Sequence, residues 1–270
     1  MTRQRPPRPT THLEVISRQW LTPDMVRLVV GGPNFDSFAD TGFADSYIKL
    51  VFDPDGQPYP EPVDVAQLKA ELPRTEWPKT RTYTVRAVDR EARTLSIDVV
   101  IHGDEGIAAP WAAAIEPGGL VQFQGPGGAW SPVEDAGFHL LVGDESALPA
   151  IAAGLERLPS DAIGVAIIEV SEHPLELTRP EGVTIDWLVR GSDPYDPELL
   201  ARRVRGLDLG SRDEEVAVFA HGEREAMKHL RRVFTELEIP RDRLSISGYW
   251  AYGRAEDAFQ AEKKTDVGKV

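Results

Sequence analysis

Up to about residue 125 the chain sets apolar against polar positions in short runs. THLEVISRQW (11–20), MVRLVV (25–30), YIKLVF (47–52), RTYTVRAV (81–88), TLSIDVVIH (94–102) and LVQFQG (120–125) are rich in β-branched and aromatic residues with partial period-two alternation. Such runs, punctuated by glycine and proline with little helix between them, predict a six-stranded antiparallel barrel. One helical stretch, DVAQLKAEL (64–72), interrupts them inside a proline-rich and acidic surface excursion over 53–79.

After about residue 132 the rhythm changes. Strand patterns at FHLLVG (138–143), GVAIIEV (164–170), VTIDWLV (183–189) and EEVAVFA (214–220) alternate with helical patterns at 147–158, 197–205 and 223–237. That alternation predicts a doubly wound parallel sheet. Two domains are therefore expected, 1–131 and 132–270, joined by a hinge in PGGAWSPVEDAG (126–137). No internal repeat is present, and the last residues, QAEKKTDVGKV, form a polar tail.

Composition narrows the chemistry. With 270 residues and 41% hydrophobic content the chain can bury a substantial core. No run of about 18 apolar residues exists, and the opening MTRQRPPRPT lacks the apolar stretch of a secretory signal, so a cytoplasmic protein outside the bilayer is expected. A net charge of −14 argues against general affinity for nucleic acid or anionic lipid, leaving room only for local basic pockets. The absence of cysteine removes disulfides, thiolate metal sites and cysteine nucleophiles, so redox chemistry must come from a bound organic cofactor. Six histidines, at 12, 102, 139, 173, 221 and 229, show no metal-ligand spacing, and no metal site is expected.

Four stretches carry candidate chemistry. In RTYTV, Arg81 suits a phosphate, the Tyr83 ring suits a planar heterocycle, and Thr84 can hydrogen-bond a ring edge; an exposed strand with a wet face explains the same residues. Beyond the next strand, His102 and Gly103 precede a short helix beginning near Ala108 or Ala109, a glycine-preceded helix start of the kind that receives a pyrophosphate. A strand-end histidine with an ordinary hydrogen bond is the plainer account of His102. In LLVGDESALPAIA, Asp144, Glu145 and Ser146 end the first strand of the α/β region, with Ser146 or Asp144 available to cap the following helix. No GxGxxG is present, and a simple strand-to-helix turn fits equally well. In SGYWAYGRAEDAFQ (247–260), Tyr249 and Trp250 read as core anchors, while Arg254 stands beside Glu256 and Asp257.

Taken together, RTYTVR, IHGDEG with PWAA, VGDESALPAIA, AHGE (220–223) and SGYWAYGRAED resemble, in order and spacing, the siderophore-interacting protein family, from about residue 12 to 260. The resemblance implies a flavin-binding β-barrel followed by a pyridine-nucleotide-binding α/β domain, as in ferredoxin reductases. The implied activity is FAD-dependent reduction of ferric siderophore by NADPH or NADH, with ferredoxin left open as another electron donor. Implied FAD contacts are Arg81, Tyr83, Thr84, Val85, His102, Gly103, Ala108, Ala109 and Trp111; implied nucleotide contacts are Asp144, Glu145, Ser146, Ala147, Arg190 and Glu223. Lys49 and Arg254 are the expected basic contacts to the ferric complex. Arg190 follows VTIDWLV and suits a 2′-phosphate, while Glu169 and Glu172 oppose one. Two departures stand out. Ala109 and Pro110 precede Trp111 where the family often has serine and arginine, and Ala251 and Tyr252 follow GYW where it often has two arginines. A flavin reductase with another acceptor and a siderophore-binding protein without flavin are the competing readings.

Overall fold

The computed structural model describes residues 10–53, 63–102, 106–207, 209, 215–263 and 265–270. The chain divides between Ala129 and Trp130 into two compact units.

The first unit is a closed barrel of six antiparallel strands in the order β1-β2-β5-β4-β3-β6. These are β1 (Thr10–Thr22), β2 (Met25–Gly31), β3 (Tyr47–Phe52), β4 (Lys79–Asp89), β5 (Thr94–Val100) and β6 (Leu120–Gly127). Period-two patterning explains the barrel: Val26, Leu28 and Val30 on β2 and Leu95, Ile97 and Val99 on β5 all point inward and are completely buried. Truncating one of them, for example Ile97→Ala, removes about 2–5 kcal/mol. The insertion forms α1 (Val65–Glu71), started by Asp64, whose side chain accepts from the Ala66 and Gln67 amides. A second short helix, α2 (Ala108–Ala114), packs Ala108 and Ala112 into the barrel core, and Trp111 rests edge-on against Phe52 at 5.3 Å.

The second unit is a five-stranded parallel sheet, order β11-β10-β7-β8-β9. Its strands are β7 (Phe138–Asp144), β8 (Gly164–Val170), β9 (Val183–Val189), β10 (Val216–Glu223) and β11 (Leu244–Trp250). Helix α3 (Leu148–Leu155) is buried along its whole length and lies over Leu141 and Gly143. Helices α4 (Leu199–Arg205) and α5 (Arg224–Glu236) cover the opposite face, where Leu140, Val142, Val218 and Ala220 meet Leu200, Val204, Leu230 and Phe234. The sheet is thus wound on both faces, as its alternating pattern predicts. One strand lies outside the sequence reading: LSISGYW, whose Tyr249 and Trp250 read as core anchors, is the edge strand β11. Its glycine, Gly248, packs beside Arg224, where an added Cβ would lie 3.4 Å from the backbone, an ordinary contact distance. A last helix, α6 (Glu256–Glu262), buries Phe259.

Candidate functional site

In the barrel, strand β4 changes neighbour midway. Lys79 to Thr84 ladder with β3, whereas the ladder to β5 begins at Val85 and carries a bulge before Ala87. The RTYTV run therefore occupies the point where β4 passes from one partner strand to the other. Thr84 and Val85 are buried there, while Arg81 and Tyr83 are partly exposed and Tyr83 packs against the barrel core. Arg81 Nη1 donates to its neighbour's carbonyl, Thr80 O, at 2.8 Å. His102 follows β5 and is exposed; Ala108 and Ala109 open α2 and are both buried. No side chain caps α2. Gly103 lies outside the described residues. Lys49 is on β3 opposite Thr82, one register step from the Arg81–Leu50 pair, and its charge lowers the Lys69 amine, which burial already holds below the ordinary lysine value.

In the second unit the strand order reverses between β7 and β10, the place where open α/β sheets bind ligands. Gly143 and His221 are register partners there, and an added Cβ on Gly143 would lie 2.5 Å from His221 O. The predicted loop residues gather at this point, and Asp144 ties them together. Its Oδ1 accepts from Ser146 N (2.9 Å) and Ser146 Oγ (2.5 Å); its Oδ2 accepts from Glu223 N (2.7 Å) and Trp250 Nε1 (2.8 Å). One buried carboxylate thus joins the ends of β7, β10 and β11. Burial pushes its pKa up, opposed by those donors. Gly222, at φ +152, is needed because a Cβ there would meet Asp144 Oδ2 at 2.7 Å. Neither Ser146 nor Asp144 caps α3, contrary to the sequence reading: the N-cap is Ala147, because the Asp144 oxygens are already engaged by other donors.

Glu223 is a second buried centre, 2% exposed. It caps α5 by accepting from Glu225 N (2.6 Å) and Ala226 N (2.9 Å), accepts the Tyr195 hydroxyl, and takes Tyr252 N at 3.0 Å. Burial and that hydrogen bond raise the Tyr195 phenol well above its ordinary value. Glu145 accepts from Ser171 N and Ser171 Oγ, while Arg190 donates to Glu169 at 2.9 Å and to Ser171 Oγ at 3.2 Å. Burial raises the Glu169 carboxyl, with Arg190 acting the other way. Arg254 pairs with Glu262 at 3.0 Å rather than with Glu256 or Asp257. Nearby, His221 lies stacked on Phe219 at 4.0 Å, shares a hydrogen bond with Ser245 Oγ, and is pushed down to about 3 by burial, with the Lys263 charge adding to it.

Residues 14–130 match the family model for a siderophore-interacting FAD-binding domain, and residues 136–253 match that for siderophore-interacting protein. The chain belongs to the siderophore-interacting protein family. An uncharacterized protein of Mycobacterium tuberculosis is 42% identical over 95% of both chains. The ferric vibriobactin reductase ViuB of Vibrio cholerae is 30% identical over 93% of both. The siderophore-interacting protein SipS of Aeromonas hydrophila superposes with a TM-score of 0.77 at 31% identity, covering 95% of this chain and 97% of that one. Within this family frame, the residues that sequence reasoning missed are Tyr195 and Ser171. Both lie in loops after strands β9 and β8, and their roles depend on Glu223 and Glu145, 28 and 26 residues away, which no local spacing signals.

Proposed function

We propose that this protein acts in the cytoplasm as an FAD-dependent reductase that takes electrons from NADPH and delivers them to iron in a ferric siderophore. The observation carrying this reading is the Arg81-Thr82-Tyr83-Thr84 run at the change of neighbour in β4, within the region matched by the FAD-binding family model. A cation, a flat ring and a hydroxyl-bearing buried backbone lie consecutively there. They fit a flavin nucleotide: Arg81 neutralises phosphate, Tyr83 flanks the ring system, and the backbone of Thr84 and Val85 meets its polar edge. His102, the backbone at Ala108 and Ala109, and the Trp111 wall complete the barrel's share, with Gly103 assigned from the motif. A bound flavin supplies the conversion of a two-electron donor into single-electron steps. Iron then leaves because the ferrous ion, with less charge, is held more weakly by oxygen ligands.

The protein's own groups bind and orient rather than transfer protons. Glu145, Ser146 and Arg190 present the nucleotide-facing rim, with Ala147 buried behind it at the start of α3, while Asp144 and Glu223 fix the strand ends beneath it. Because Glu169 already neutralises Arg190, discrimination between NADPH and NADH is expected to stay below about tenfold, which is about 1.4 kcal/mol. Each unit offers one basic candidate for the ferric complex, Lys49 in the first and Arg254, paired with Glu262, in the second. The ferric vibriobactin reductase of Vibrio cholerae and the NADPH-dependent ferric-chelate reductase of Escherichia coli, the latter 28% identical over 88% of this chain, support the substrate and donor classes.

Anaerobic mixing of holoprotein with NADPH, then with a panel of ferric siderophores and a ferrous-specific chelator, tests the reading. Ferrous iron forming in step with nucleotide oxidation is the expected result. Nucleotide oxidation that proceeds with quinones or free flavin but yields no ferrous iron assigns a different acceptor.

A further inference from the structure

Glu223 holds two aromatic residues on one buried carboxylate. Tyr195 donates its hydroxyl to Oε2 and Tyr252 donates its backbone N–H to Oε1, and the two rings lie parallel, 12° apart in plane and 4.4 Å between centroids. Tyr195 covers one face of Tyr252. The other face is open: Tyr252 is 62% exposed, the most exposed large hydrophobic side chain among the described residues. A ring fixed from behind, with its front in water, is an unused contact surface that loses little conformational entropy when covered.

The charges around it constrain what it takes. Arg254 pairs with Glu262, Arg224 is ion-paired to Glu262 and Glu225, and Arg190 is held by Glu169. Glu223, Glu169 and Glu225 all bear on the Tyr195 phenol in the direction of negative potential. Ala251, next to the exposed ring, is buried and uncharged. A polyanion approaching this rim meets carboxylates and arginines already neutralised, whereas a planar ring of low net charge finds a stacking face without opposition.

We infer that Tyr252, backed by Tyr195, is the stacking subsite for an aryl ring of the ferric chelate, and that the preferred chelate is aryl-bearing and of low net charge. This rests on the reductase reading proposed above, and it adds the substrate class. The test uses redox-inert gallium(III) complexes and holoprotein, so binding is read without reduction. Dissociation constants are measured by tryptophan fluorescence for a neutral gallium complex of a phenol-bearing chelator and for gallium citrate, with wild type and with Tyr252→Ala, Tyr252→Phe and Tyr252→Arg.

Tyr252→Ala should weaken the aryl complex about tenfold, equivalent to about 1.4 kcal/mol. Tyr252→Phe should retain it within twofold, and Tyr252→Arg should shift preference toward citrate. NADPH affinity should be unchanged in all three. Equal binding of the aryl complex by wild type and Tyr252→Ala overturns the inference, as does a loss confined to NADPH, which would assign the ring to the nucleotide base instead. Absence of ferric reduction alongside intact, Tyr252-dependent gallium binding would instead count against the reductase reading alone.

Discussion

The two units meet their ligand-binding problem in opposite ways. In the barrel, the charged candidate Arg81 stands partly exposed on β4, and the apolar core around Ile97, Leu50 and Val99 supplies stability without it. At the strand ends of the parallel sheet, the polar groups are tied to one another: Asp144 engages four donors and Glu223 four more. At Arg81 the barrel therefore separates binding from folding, whereas the second unit makes its site rim part of its own scaffold. Substitutions should cost cofactor in the first case and stability in the second.

The sharpest way to break this contrast is Glu223→Ala. It removes the α5 cap and the acceptor for Tyr195 and Tyr252 together, and should destabilise the second unit by about 3–5 kcal/mol in urea unfolding followed by far-ultraviolet circular dichroism. A loss under about 1 kcal/mol would mean that water replaces the carboxylate and that the rim is not scaffold.

Acid sharpens it next. His221 is neutral in the fold, with its pKa pushed down to about 3 from 6.5, so the unfolded chain binds its proton first. The stability this contributes is complete above about pH 6.5 and is lost as pH falls toward 3. Between pH 7 and pH 4 the loss is about 3 kcal/mol, and His221→Leu should remove that part of the pH dependence. Parallel stability profiles for the two proteins over that window would contradict the assignment.

Gly222→Ala should cost about 1–3 kcal/mol, since the added methyl meets Asp144 Oδ2 and the backbone sits at positive φ. Its thermal midpoint, compared with that of Gly206→Ala in the looser turn after α4, isolates the close approach. The smallest effect belongs to Arg254→Ala: its exposed ion pair with Glu262 contributes under about 1 kcal/mol to stability, and the contact proposed for it predicts a raised KM for the ferric complex.

The sequence was most legible where local pattern decides structure. Six barrel strands follow from alternation, because burial on one face imposes period two, and four sheet strands follow from short apolar β-branched runs, because that sheet is covered on both faces. Strand β11 was obscured by Gly248 and by aromatics that read as anchors. The motif residues Asp144 and Glu223 were visible as a cluster of chemistry, but their partners were not. Trp250 reaches Asp144 across 106 residues and Tyr195 reaches Glu223 across 28, contacts that arise only once parallel strands bring their ends together. Hydrophobic periodicity records which face is buried, and it carries no information on which polar groups meet at a sheet edge.

The comparison is tested most directly by Arg81→Ala, measured for flavin absorption after gel filtration and for its urea unfolding midpoint in the absence of flavin. Flavin content is expected to fall about tenfold or more, with the unfolding free energy unchanged within about 0.5 kcal/mol. Full flavin occupancy, or a loss of flavin that merely follows a collapse of the barrel, would contradict it.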